Sequence, residues 1–204
     1  MPEEKQRTSD EASPVEVEAV EEAPQLDPEV EARRVAAMSF IRRLGDPILK
    51  SRATPVDRFD DSLREQVSRM AGVMNDALGV GLAAPQLGIS QRLVVYRVGP
   101  EAPVIALVNP ELEWTSDEGE EGEEGCLSIP GIALDVERPV HVRVQALDEQ
   151  GASRLVEASG LEARVIQHEL DHLDGVLILE RASRDERKRA LRELREAERA
   201  REAA

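Results

Sequence analysis

The run His168-Glu169-Leu170-Asp171-His172 sets two imidazoles four residues apart with a carboxylate between them. Residues four apart share one face of a helix, so both rings can reach a single cation. Glu169 follows His168 by about 100° around the helix axis, near enough to reach water on the ion without ligating it. The chemistry this spacing predicts is metal-assisted hydrolysis. The plain alternative is a solvated helix face with two incidental histidines. Against it, two of only three histidines in the chain fall into this spacing, with a glutamate between them.

A catalytic ion commonly keeps three protein ligands and an open position, so two histidines leave one ligand unaccounted for. Cys126, the sole cysteine, is the candidate. It lies in Glu124-Gly125-Cys126-Leu127-Ser128, where Gly125 is expected to let backbone approach closely and the thiol ionises on a cation. Read alone, a single cysteine is more often buried filler than ligand, and the paired histidines reverse that reading. A third cluster, Gly79-Val80-Gly81-Leu82-Ala83-Ala84-Pro85-Gln86, has two glycines that bring backbone near a ligand. It lacks the third glycine of a dinucleotide fingerprint and follows a helix rather than a strand, which makes phosphate binding a poor reading. By itself it is a tight turn entering a strand.

The elements that must hold these residues follow from periodicity. Residues 61–78 read as a helix, with Ser62 and Glu65 as a capping box, with Leu63, Val67, Met70, Met74 and Ala77 at helical spacing, and with Gly79 as its stop. Residues 93–98 and 104–108 read as strands. Val140, Val142, Val144 and Ala146 alternate with polar residues in a further strand, and a turn at 148–151 leads into another at 154–157. His141 falls on the polar side and reads as a surface residue. Residues 161–173 form the helix that carries the chemistry, stopped by Asp174 and Gly175. Ser183 with Glu186 caps a third, arginine-rich helix whose thin apolar stripe, Ala190, Leu191, Leu194 and Ala197, predicts partial docking.

Composition sets the frame. The chain has 204 residues, a net charge of -16 and 41% hydrophobic residues, enough for one domain with a real core. At 2% aromatic residues, any ligand pocket is expected to be aliphatic, and the composition argues against base-stacking platforms for nucleic acid. A lone thiol forms no intramolecular disulfide and fits a reducing compartment. With no membrane-spanning stretch and no signal-peptide pattern, the expected location is the cytoplasm. Residues 1–36, rich in Glu, Pro, Ala and Ser, read as a disordered acidic tail; residues 37–182 as the catalytic domain; and residues 183–204 as a charged C-terminal helix. A second acidic run spans residues 111–124 without a Lys or Arg.

Three segments, Gly79 to Gln86, Glu124 to Ser128 and Gln167 to His172, resemble the three signature motifs of peptide deformylases, in the same order. The likeness extends more loosely from about Phe40, through Gly45-Asp46-Pro47, to about Leu179. It implies an α+β fold, mainly antiparallel sheets around a central metal-binding helix, followed by a C-terminal helix. It also implies removal of the formyl group from the formyl-methionine of nascent polypeptides. Carried over by motif, Cys126, His168 and His172 would hold the metal and Glu169 would be general base and acid. Gln86 and the Leu127 backbone amide would stabilise the oxyanion, and Val80, Gly81, Glu124 and Gly125 would border the substrate. A divalent cation lowers the pKa of its water from about 16 towards 7, which makes hydroxide available at neutral pH. The resemblance implies Fe2+ as the native metal, with Zn2+ or Ni2+ able to replace it.

Two other classes compete. A zinc metalloprotease shares His-Glu-x-x-His, but no histidine follows His172, which excludes a third-histidine protease and leaves Glu180 as a candidate carboxylate ligand. A non-catalytic, ribosome-associated binding module would use the charged ends as docking devices, yet leaves Glu169 and Gln86 without a purpose. For the C-terminal helix itself, transient docking on ribosomal RNA stands against a solvated helix of interleaved Arg and Glu pairs. Neither DNA nor membrane is an expected partner.

Overall fold

The structure is a computed structural model, and it describes residues 26–202. Its architecture is α+β, with mainly antiparallel sheet around the helix that carries the histidines, as the sequence predicts. Strands β1 (Gly81–Ala83), β2 (Leu93–Tyr96), β3 (Ile105–Thr115), β6 (His141–Leu147) and β7 (Ser153–Ser159) make one antiparallel sheet in the order β1-β2-β3-β6-β7. Strands β4 (Gly119–Cys126) and β5 (Ile129–Pro139) form a separate antiparallel hairpin.

Helices cover both faces of the larger sheet. Helix α2 (Asp61–Asp76) packs against one side, where Leu63, Met70 and Met74 meet Leu82, Leu93, Val95 and Val108, and helix α1 (Pro28–Met38) packs on α2. Helix α3 (Gly160–Leu173) packs on the other, where Ala163, Ile166 and Leu173 meet Val94, Tyr96, Leu107 and Val144. Successive strand residues point to opposite faces, so the neighbours Val94 and Val95 serve different cores. A third cluster joins the β4–β5 hairpin to α4 (Ile178–Arg181) and α5 (Arg184–Glu202) through Leu134, Val136, Leu177, Ile178 and Ala190.

The structure corrects several expectations. Of the tail expected over residues 1–36, residues 1–25 lie outside the described residues, while 28–36 belong to α1. Asp27 caps that helix by accepting from Glu29 N at 2.8 Å, and buried Ala37 anchors its end among the α2 side chains. Helix α2 is capped by Asp60, whose carboxylate accepts from Leu63 N at 3.3 Å, and not by the Ser62–Glu65 box. Asp and Ser are both capping residues, and the helix begins at Asp61 as its periodicity predicts, two residues ahead of where a cap at Ser62 would start it. Its end is made by Leu78, at φ 58°, rather than by Gly79. The acidic run at 111–124 contains the end of β3 and nearly all of β4. Strand β3 extends to Thr115 because, past Val108, it changes partner from β2 to β6.

The C-terminal helix docks through Ala190, which is fully buried, with Leu191 and Leu194 packed at the edge of the third cluster. Ser183 caps it, its hydroxyl accepting from Glu186 N at 3.2 Å. His141 is exposed, as expected, its Nδ1 lying 2.8 Å from Ser159 Oγ. No helix among the described residues is long and apolar enough to cross a membrane.

Candidate active site

Helix α3 presents one side to the sheet and another to the β4–β5 hairpin, and the histidines lie on the hairpin side. Their rings meet edge to face, with centroids 5.0 Å apart. Cys126 ends β4 on the inward face, where the register with β5 slips between Gly125 and Cys126. One ligand atom from each of Cys126, His168 and His172 falls within 4.8 Å of the other two. Cys126 Sγ lies 3.3 Å from His172 Nε2. Two donors bound to one tetrahedral ion, at about 2.3 Å for sulfur and 2.05 Å for nitrogen, sit about 3.6 Å apart. The residues therefore fit a metal ion with little movement, and one thiol with two imidazoles is a donor set suited to borderline-soft divalent ions.

Electrostatics point the same way. Burial opposes charge on His168, yet hydrogen bonds to Cys126 and Glu124 outweigh it and raise its pKa to about 10. An ion held there would take the place of that proton, because an imidazole ligates only when neutral. His172 is held well below the ordinary imidazole range, first by burial and then by the charge of His168, which keeps it neutral as ligation requires.

A buried ion-pair network fixes these ligands from behind. His168 Nδ1 lies 2.9 Å from Glu124 Oε2, which turns Nε2 toward the cysteine side. The same carboxylate receives Arg138 Nε and Nη2, both at 2.9 Å, and Arg164 Nη1 at 2.9 Å. Burial works against its charge, but His168 and Arg138 win and lower its pKa to about 2. Arg138 Nη1 also donates to Asp171 Oδ2 at 2.6 Å, and Arg181 Nη2 reaches Asp171 Oδ1 at 2.5 Å. The network spans β4, β5, α3 and α4, so the position of His168 depends on the packing of all four.

Glu169 is buried, and its Oε2 has no hydrogen-bond partner among the described residues. Burial raises its pKa to about 7. It lies against Gly81, where any Cβ would come within 2.8 Å of Glu169 Cδ. Gln86 follows in a short helical turn. Its Oε1 accepts from Ala83 N at 2.9 Å, which aims Nε2 at Ser128 Oγ, 3.3 Å away, and at Cys126 Sγ, 3.8 Å away. A cleft of about 490 Å³ opens over these groups, and Val80, Gly81, Gln86, Glu124, Gly125, Cys126, Leu127, His168 and Glu169 all line it. Every sequence-predicted site residue except His172, which lies beneath, thus borders one cavity.

Gly125 is not the point of close approach expected of it. A Cβ there would meet only the Ile132 carbonyl, at 3.9 Å, an ordinary contact. Gly81 and Gly79 are the crowded positions, against Glu169 and Leu127. Sequence reasoning missed Arg138, Asp171, Arg164 and Ser128. A signal for Arg138 was present: Ile132, Leu134 and Val136 alternate inward along β5, which puts Arg138 on the buried face. It also missed the wall that α1 adds to the cleft through Arg34 and Met38.

Comparison with known proteins adds an independent line. The family model described as polypeptide deformylase matches residues 38–188. A peptide deformylase of Parafrankia sp. is 47% identical over 158 residues, 78% of this chain and 86% of the relative. One from Natranaerobius thermophilus is 48% identical over 146 residues, 72% of this chain and 93% of the relative. Among solved structures, a peptide deformylase from Legionella pneumophila is similar with a TM-score of 0.75 and 41% identity, over 80% of this chain and 97% of that one. Another, from Synechococcus elongatus in complex with actinonin, gives a TM-score of 0.72 at 46% identity, over 75% of this chain and 85% of that one.

Proposed function

The chain belongs to the polypeptide deformylase family, and on that premise we propose that it is a metal-dependent hydrolase removing the N-terminal formyl group from the formyl-methionine of nascent polypeptides. The observation that carries the proposal is the meeting of Cys126, His168 and His172 within 4.8 Å, in the same cleft as Glu169 and Gln86. The Cys126 thiolate and one ring nitrogen from each histidine hold the ion. When bound, the ion supplies Lewis acidity, which lets water lose a proton at neutral pH. Ferrous iron is the proposed native metal, and the thiolate with two imidazoles also accepts zinc or nickel.

The protein's own residues do the rest. Glu169 accepts the proton of the attacking water at its unpartnered Oε2, and a pKa of about 7 suits a group that must take and return a proton near neutrality. As oxygen bonds to the formyl carbon, charge develops on the formyl oxygen. Gln86 Nε2 and the Leu127 backbone N–H donate to that oxygen, and loss of one such donor typically costs ~3 kcal/mol in the barrier. The C–N bond then breaks, Glu169 returns the proton to the departing amine, and formate and a free N-terminus leave. Val80, Gly81, Glu124 and Gly125 border the substrate, while Leu127, Ile132 and Leu161 give the methionine side chain an aliphatic surface.

Residues 37–182 form the catalytic unit in this account, in the cytoplasm, and α5 offers Lys188, Arg192, Arg195 and Arg199 on its exposed side for a transient contact with the ribosome. The test is formate release from a formyl-Met-Ala-Ser peptide by anaerobically metal-loaded protein, with Glu169→Ala as control. Turnover that disappears in the variant is expected. Loaded wild-type protein that releases no formate would refute the proposal.

A further inference from the structure

The wall of the cleft extends beyond the part of the chain that the family model matches. Apart from Met38, helix α1 lies ahead of the matched residues 38–188. Its last two turns nevertheless furnish part of the cleft wall, through Arg34 and Met38. These residues are four apart and therefore share a face of the helix. Their placement is fixed by packing: Ala37 and Ile41 are buried in the same cluster as Met70 and Met74 of α2, and Met38 packs against it.

Two arginines line the cleft, and they differ in what remains of their charge. Arg164 is committed. Its Nη1 donates to Glu124 Oε1 at 2.9 Å and to the Val136 carbonyl at 2.7 Å, its Nη2 donates to the Glu120 carbonyl at 2.7 Å, and its side chain is 13% exposed. Arg34 is 43% exposed, and its ion pair is with Glu31, one turn away on α1, at 3.5 Å and equally exposed. A pair of that kind contributes little and yields readily to a better carboxylate. Apart from Glu123 on the β4 side, the exposed part of the mouth is apolar, with Leu78, Val80 and Leu161 each at least half exposed. A peptide whose formyl end sits at Glu169 must leave across this mouth. A guanidinium there, with its fork of donors open, is suited to bind a carboxylate in bidentate fashion.

Resting on the deformylase reading, we infer that Arg34 is a specificity-determining residue that binds the side-chain carboxylate of an Asp or Glu downstream of the formyl-methionine. Helix α1 is thus a substrate-reading addition to the matched domain. Glu123, exposed on the β4 side of the same cleft, repels that carboxylate and directs it toward α1.

The test uses the full chain, metal-loaded, with C-terminally amidated formyl-Met peptides carrying a single Glu, Gln or Lys at the second, third or fourth position. Amidation leaves the side chain as the one carboxylate. At one position kcat/KM for Glu should exceed that for Gln about three- to tenfold, through KM, as suits a charge-assisted contact at a half-exposed site. Arg34→Gln should bring that ratio to about one with kcat on the all-neutral peptide unchanged, Arg34→Lys should restore part of it, and Arg34→Glu should favour Lys. The same ratios should appear in equilibrium binding of the unformylated product peptides, which reads Arg34 even if no formate is released. Loss of turnover alone would therefore count against the deformylase reading, not this one. A Glu-to-Gln ratio in binding that is the same in wild type and Arg34→Gln at every position would overturn the inference.

Discussion

Replacing Gly81 by alanine isolates the positioning of Glu169. Gly81 does not lie among the residues at positive φ, so the change adds a methyl group without backbone strain. That methyl carbon would stand 2.8 Å from Glu169 Cδ and 2.9 Å from Cγ. Carbon atoms rest at about 3.5–4.0 Å, so at least ~0.7 Å must be found. The backbone is poorly placed to supply it, because Gly81 pairs with Tyr96 in β1–β2 and α3 packs against β1. The side chain of Glu169 must move instead, by an amount approaching 1 Å. A misplacement of about 1 Å costs on the order of 100-fold in rate, or about 2.7 kcal/mol in the barrier. Overpacking of this size also costs about 1–3 kcal/mol of stability. The assay is steady-state deformylation of a formyl-Met tripeptide, with metal content and thermal melting measured on the same preparation. Expected are kcat down about 100-fold, KM within a few fold of wild type, and an undiminished metal content. A Gly81→Ala protein with full turnover and an unshifted melting temperature would refute the reasoning that this contact places the carboxylate.

Three further outcomes follow from the network behind the site. Arg138→Met removes the guanidinium shared by buried Glu124 and Asp171; since Arg164, His168 and Arg181 still partner those carboxylates, the loss in urea unfolding should be near the lower end of the usual 3–5 kcal/mol, about 3, and a loss under 1 would contradict the network's structural role. Glu124→Gln weakens the acceptor of His168 Nδ1, and competition with a chelator should show metal affinity reduced about 10- to 100-fold; unchanged affinity would mean that His168 needs no orienting partner. Glu180, although partly buried, is held below the usual carboxylate range by its hydrogen bond with Lys50. A lowered folded-state pKa contributes stability above the unfolded value of about 4.3, and that contribution is lost as pH falls through the folded value. Glu180→Gln should therefore lower stability slightly at pH 7, by under ~1 kcal/mol for so exposed a pair, with the difference shrinking below about pH 4; a difference that grew on acidification would contradict the pairing.

The metal-bearing helix was legible because its signal is local: the spacing of His168 and His172, with Glu169 between them, is a property of five consecutive residues. The β4–β5 hairpin was not legible because β4 is built mostly of Glu and Gly, which are depleted in strands. It is a strand because β5 pairs with it along its whole length and because Glu124 and Cys126 point inward to partners far along the chain. Helix α1 was hidden for a related reason. Its composition resembles a solvated tail, and what holds it is Ala37 and Ile41 against α2, a tertiary contact that no window of sequence displays. Cys126 emerged from counting, as the one thiol available to complete a ligand set. Arg138 sat on a readable alternation, but its two buried carboxylate partners lie 14 and 33 residues away.

The claim on which the account rests is that one thiolate and two imidazoles share one ion. X-ray absorption at the metal edge, on anaerobically loaded protein, measures that shell directly. Expected are one sulfur at about 2.3 Å and two nitrogens at about 2.0–2.1 Å, with the sulfur lost in Cys126→Ser. A shell of nitrogen and oxygen alone in the wild-type protein would contradict it.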